Sequence, residues 1–465
     1  MTLSEAARTF PESLIQDLPA FLKAKQPFQY SLIYGLKLAW EDAERKPGVD
    51  WRQPWESIVQ FFEHLVEDGG FWEETSNHEQ RRDEITSALA DFLRSGTVND
   101  NHAYPTELLP RTRDLIAILL DKTRAAGQPS DDPMSLAINT PKGRTIEALF
   151  SQALRACRTS DRTGGSHETQ WNDVRPMFEA ELAKCKNSNY EFSTLSGAYI
   201  AQLIYLDPKW TKEQILAIFP VEFPVNSACA IDGLGYAPFT RPVYTLLNDS
   251  CVFDRALKYE LEGRGGREKL LERIAAAYLW GDESLESARL AFIFESGRLE
   301  DLETITRVFW MMRSGSLTAE NRERVGRYWR RCIEWNRRSP EKSPKLLSSL
   351  SMLSCFLASA DGPERELLEG VAPYVHLGYN AYEFVNELVR LVEDSPDGVS
   401  VVLGKMIQTH VPDFDYLDQL KILLEALLKK GRRQDVISHA ERLRSLAGMQ
   451  EIFDRVTRGT DFSVL

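Results

Sequence analysis

Apolar residues along this chain recur three and four positions apart far more often than two apart, and the β-branched runs that a sheet core needs are nearly absent. The pattern predicts helices throughout. Near the C-terminus Leu417, Leu420, Leu424 and Leu427 build one apolar stripe, and Lys429 and Lys430 suit the negative end of that helix. Gly431 ends it, and a second helix over about 434–446 carries Val436, Ile437, Ala440 and Leu443. Such a hairpin cannot bury its apolar face alone, so it calls for similar units stacked against it.

Comparable helices precede it, at 267–279 with 286–295, at 299–312 with 321–335, and at 346–357 with 365–375, 382–392 and 399–409. Earlier ones are expected over 55–67, 82–93, 107–122, 144–157, 174–185 and 195–205. Breaker-rich segments at 95–110, 126–133 and 159–170, the last holding Gly164, Gly165 and Ser166, are the expected loops or domain edges. There is no strict period and no repeat consensus, which favours irregular stacking of the tetratricopeptide or HEAT kind. The expected fold is therefore all-α, a superhelix of irregular stacked hairpins in three regions, 1–135, 136–260 and 261–465.

Composition narrows the picture. A chain of 465 residues exceeds one ordinary core, and 43% hydrophobic with 27% charged residues places it among folded proteins. A net charge of −13 argues against a surface built to coat nucleic acid or an anionic membrane, so any such role would need a local basic face. No run approaches the roughly 18 apolar residues of a membrane span. The first residues lack the basic start and apolar run of a secretory signal. The six cysteines are irregularly spaced without a C-x-x-C pair and read as buried free thiols, so the expected compartment is the reducing cytoplasm.

Reactive chemistry is hard to assemble from these residues. The cluster Gly263-Arg264-Gly265-Gly266-Arg267 lacks the Gly-Lys-Ser/Thr end and the preceding strand of a phosphate loop, and reads as a turn. No H-E-x-x-H or G-x-S-x-G occurs. His64 shares a predicted helix face with Glu63 and Glu67, but a single histidine without a second ligand cluster is usually solvated or at the core edge. Asp131 and Asp132, beside Pro129 and Pro133, suit a turn. No enzyme activity, cofactor or metal is assigned.

One segment departs from the acidic background. From Arg313 to Lys345 there are ten basic and four acidic side chains, a local charge of +6. On a helix Arg324, Arg327, Arg331 and Arg338 fall near one side, with Tyr328, Trp329 and Trp335 within reach for stacking, which would make a partner-binding face. The plainer reading packs the aromatic residues inward and pairs the arginines with Glu295, Glu300, Asp301 and Glu303, since charge runs are usually solvated faces. Trp51, Trp55, Phe61, Phe62, Phe71 and Trp72 are spaced too irregularly for one stripe and are expected to fill the core.

Two further stretches belong together. The first is Ile138-Asn139-Thr140-Pro141-Lys142-Gly143-Arg144, where Thr140 can cap and Pro141 can open a helix. The second is Asn189-Tyr190-Glu191-Phe192-Ser193-Thr194-Leu195-Ser196-Gly197-Ala198-Tyr199, leading to Leu206-Asp207-Pro208-Lys209-Trp210. With Val49-Asp50-Trp51, Trp55 and Phe62 upstream, the pattern resembles the long helical C-terminal region of Avs-type STAND anti-phage sensors and of related sirtuin-like defence proteins, over about residues 30–465. The resemblance implies a region that holds a phage protein, typically a terminase or portal subunit, and signals to an NTPase and effector module lying outside this chain. The expectation is a non-catalytic protein-recognition module that contacts neither membrane nor nucleic acid. The alternatives are a nucleic-acid-binding accessory using the arginine helix, and a scaffold or oligomerisation domain.

Overall fold

The computed structural model describes residues 1–43, 51–73, 81–100, 103–258, 266–340, 342–375, 378–409, 416–446 and 448–458. The glycine cluster at 263–265, Val49, Asp50 and Glu341 lie outside them. Every regular element among the described residues is a helix, so the all-α expectation holds. The chain forms two units, Met1–Leu270 and Leu271–Leu465. The sequence-based edge between 135 and 136 falls inside the first.

In the first unit Trp51, Trp55, Phe61, Phe62 and Phe71 are core as expected, while Trp72 is half-buried. Trp55 is fully buried, with ring centroids 5.1 Å from Trp40, 4.9 Å from Phe92 and 5.2 Å from Tyr104. These contacts join the helices Gln26–Ala43, Arg52–Glu67 and Arg82–Val98. A second aromatic nest joins Pro141–Thr163, His167–Ala183 and Tyr190–Ala198, where Phe150 lies 5.0 Å from Phe178 and 4.5 Å from Tyr199.

Several boundaries differ from the pattern. The expected 159–170 loop is a tight corner: the Pro141–Thr163 helix runs through it, Gly164 adopts φ +72°, and Ser166 caps the next helix at His167. The expected 195–205 helix is two helices, Tyr190–Ala198 and Ile200–Leu206, parted at Tyr199. The 95–110 segment begins inside Arg82–Val98. The helices Leu3–Thr9, Pro11–Gln16 and Leu18–Phe21 carry no stripe long enough to announce them.

The second unit is built as two rows. Leu299–Met311 packs on Pro344–Leu350, and Gly378–Leu391 packs on Leu417–Lys429. In the other row Ala319–Arg338 packs on Gly362–Val371, which packs on Pro396–Thr409, which packs on Arg433–Leu443. Each helix thus meets the one two elements further along, the pairing that stacked hairpins produce. The C-terminal stripe is as expected: Leu417, Leu420, Leu424 and Leu427 are all buried, and Gly431 turns the chain at φ +82°.

Candidate functional site

The two quoted motifs meet inside the first unit. Thr140 caps the Pro141–Thr163 helix, its Oγ1 accepting from the Gly143 amide at 3.1 Å, and donates to the Glu191 carboxylate at 3.3 Å. The same Glu191 oxygen accepts from the Ala126 amide at 2.8 Å. Lys142 sends its ammonium to the Leu120 carbonyl at 2.7 Å and to Glu181 at 2.9 Å, and Glu181 also accepts from Lys184 at 2.6 Å and Asn189 at 2.9 Å. Burial pulls the Lys142 ammonium below its ordinary range, against the attraction of Glu181.

Both motif glycines mark backbone contact. A Cβ on Gly143 would stand 1.6 Å from the Ala137 carbonyl oxygen, and one on Gly197 would stand 1.9 Å from that of Ala230. Across the same crossing, a Cβ on Gly233 would stand 1.8 Å from the Thr194 carbonyl oxygen, so Tyr190–Ala198 and Pro224–Leu234 touch main chain to main chain. Thr140, Lys142, Gly143, Asn189, Glu191 and Gly197 thus fasten helices to one another, and all but the half-buried Thr140 are buried.

The thiols are quiet for the same reason. Burial pushes Cys157, Cys185, Cys229, Cys332 and Cys355 up to about 12, while Cys251 is exposed and Cys355 half-buried, which corrects the expectation that all six are buried. Glu63 is held by Arg111 at 2.5 Å, and His64 points to solvent. Among the described residues no three His, Cys, Asp or Glu side chains converge as metal ligands. Asp132 caps Pro133–Asn139, accepting from the Ser135 amide at 2.9 Å.

The arginine segment forms the Ala319–Arg338 helix, opened by a Thr318–Asn321 capping box. The expected members of its docking face part company. Trp329 is wholly buried, as is Tyr328, whose hydroxyl donates to the Leu302 carbonyl at 2.8 Å; Trp329 therefore cannot meet a partner, which corrects its place in the face. Trp335 donates its indole N–H to the Phe294 carbonyl at 2.7 Å. Arg324 is folded back against the end of the Gly266–Trp280 helix, 16% exposed, donating to the Tyr278 and Glu283 carbonyls at 3.3 Å and pairing with Glu320 at 3.1 Å. Arg327 faces Glu323 at 4.0 Å, Arg331 lies over the Phe294 ring at 5.4 Å, and Arg338 is exposed. The stacking expected on Tyr328, Trp329 and Trp335 is replaced by contacts to Phe294 and Tyr278. Of the acids named as partners, Glu303 pairs with Lys345 at 2.6 Å.

What the helix leaves open overlaps the expected face only at Arg338. Arg322, Arg330, Arg337 and Arg338 are exposed and have no ion-pair partner among the described residues, and the first three lie toward one side of the helix. The signal was partly present in the spacing: Arg324 and Arg327 each follow a glutamate by four residues, the orientation that pairs on a helix, whereas Thr318, Gly326 and Ile333 occupy that place before Arg322, Arg330 and Arg337; Arg338 follows Glu334 by four and is exposed all the same.

No family model, curated protein or solved structure matches this chain. No helix among the described residues is long and apolar enough to cross a membrane.

Proposed function

We propose that the chain is a non-catalytic helical-repeat recognition module that holds a protein partner, and that its setting is anti-phage sensing, with a phage terminase or portal subunit as the partner. The observation that carries the recognition reading is the row of unpaired guanidiniums at Arg322, Arg330 and Arg337 in a chain of net charge −13. Some arginines elsewhere in the molecule are spent internally, as Arg111 is on Glu56 and Glu63, whereas Arg298, Arg442, Arg444 and Arg458 are also exposed, but not as a row on one helix. Those left open on a stacked-helix unit offer an anionic surface charge-assisted contacts that folding has not used. The phage setting is supported by the resemblance of the Thr140 and Asn189 motifs to defence sensors.

The test is co-purification of the full chain with purified terminase or portal subunits at moderate salt, with and without nuclease. Capture that ignores nuclease supports the reading, and failure with both subunits removes the phage setting. The same guanidiniums suit phosphates, so a nucleic-acid accessory is the second reading. It requires a gel shift that falls steeply with salt and vanishes in Arg330→Glu with Arg337→Glu.

A further inference from the structure

We infer that the arginine row receives an acidic helix whose carboxylates recur every seven to eight residues. The inference rests on the recognition reading above and names the chemistry of the partner. Arg322, Arg330 and Arg337 are separated by eight and seven residues on one unbroken helix. At about 1.5 Å rise and about 100° per residue they stand about 12 and 10.5 Å apart, within about 80° of arc. A helix laid alongside with glutamates seven apart presents the same interval, the charge analogue of a heptad seam.

An acidic helix meets this row by charge, beside the Gly362–Val371 helix that Gly326 faces, where Leu367 Cδ1 would lie 4.0 Å from a Cβ at position 326. Single-stranded nucleic acid fits less well: bases need exposed rings to stack on, and on this helix Tyr328 and Trp329 are buried while Trp335 is tied to Phe294. The net charge of −13 also repels an extended polyanion, whereas a short acidic helix meets only the local row.

The experiment uses the full chain and three fluorescent alanine-based helical peptides, read by anisotropy. One carries glutamates seven residues apart, one has the same composition with its glutamates clustered at an end, and one replaces them with glutamine. The spaced peptide is expected to bind at least about tenfold more tightly than the clustered one. Arg330→Gln with Arg337→Gln abolishes the difference, and Arg327→Gln leaves it unchanged, because Arg327 already faces Glu323. Circular dichroism and the unfolding midpoint of each variant are checked against the parent chain. Equal binding of spaced and clustered peptides, no binding, or tighter binding of a single-stranded oligonucleotide each overturns the inference. Phage-subunit capture that survives the Arg330 and Arg337 changes overturns it too while leaving the recognition reading intact. Spaced-peptide binding without phage-subunit capture supports it and removes only the phage setting.

Discussion

Lys142 and Glu181 form an ion pair at 2.9 Å with side chains only 3% and 2% exposed, at the point where the Thr140 and Asn189 segments join. The two ends of this pair are not equally supported. Glu181 retains Lys184 and Asn189 when Lys142 is removed, whereas Lys142 retains only the Leu120 carbonyl when Glu181 is removed. Glu181→Leu is therefore expected to cost about 3–5 kcal/mol and Lys142→Met about 2 kcal/mol, with the double variant costing less than the sum. Urea unfolding of the three variants measures this, and equal single costs would contradict it.

Gly233→Ala should be more damaging than an added methyl suggests. The new Cβ would collide with the Thr194 carbonyl oxygen, and neither helix can retreat without parting the main-chain contact at Gly197. A loss of about 2–3 kcal/mol is expected from overpacking of this kind. Gly127, which has open space around it, serves as the control: a Cβ there meets nothing, so Gly127→Ala should leave the unfolding midpoint nearly unmoved.

The arginines of one helix should separate by role. Arg324→Ala removes donors from the Tyr278 and Glu283 carbonyls and is expected to cost about 1–2 kcal/mol. Arg330→Ala, on an exposed side chain with no partner, should stay within about 0.5 kcal/mol of the parent. Thermal unfolding of both variants in one buffer decides it; comparable losses would place Arg330 among the structural arginines.

Much of the fold was legible because long helices with one apolar face declare themselves by period. The Leu417–Leu427 stripe, the Gly431 break and the Thr140 cap all lie where local chemistry puts them. The break at Tyr199 was not legible, since the apolar spacing runs on through Leu195, Ile200 and Leu203 while tertiary packing stacks Tyr199 on Phe150. The open arginines were half legible. Spacing identified a basic helix, but the carbonyls that draw Arg324 inward belong to residues more than 40 positions away. No local pattern encodes such a distant acceptor.

His439 gives the C-terminal helices a dependence on pH. Its ring is buried, with Nε2 3.1 Å from the Ser400 hydroxyl, and burial lowers its pKa below the ordinary 6.5, opposed by Asp435 and reinforced by Arg442. Above about pH 6.5 the ring is neutral in folded and unfolded chains alike and its contribution is complete. As pH falls from 6.5 towards the folded value, the unfolded chain takes up the proton first, so stability declines. His439→Gln should flatten the unfolding midpoint over that window. A parent chain whose midpoint rises on acidification there would refute the assignment.

The exposure of Cys251 has a practical consequence. Five sulfurs are held almost wholly as thiols at neutral pH, so a maleimide dye or nitroxide offered to the native chain should attach at position 251 well before any other. The natural sequence thus supplies a reporter handle in the Met1–Leu270 unit, free of engineering, through which the local environment of position 251 can be followed.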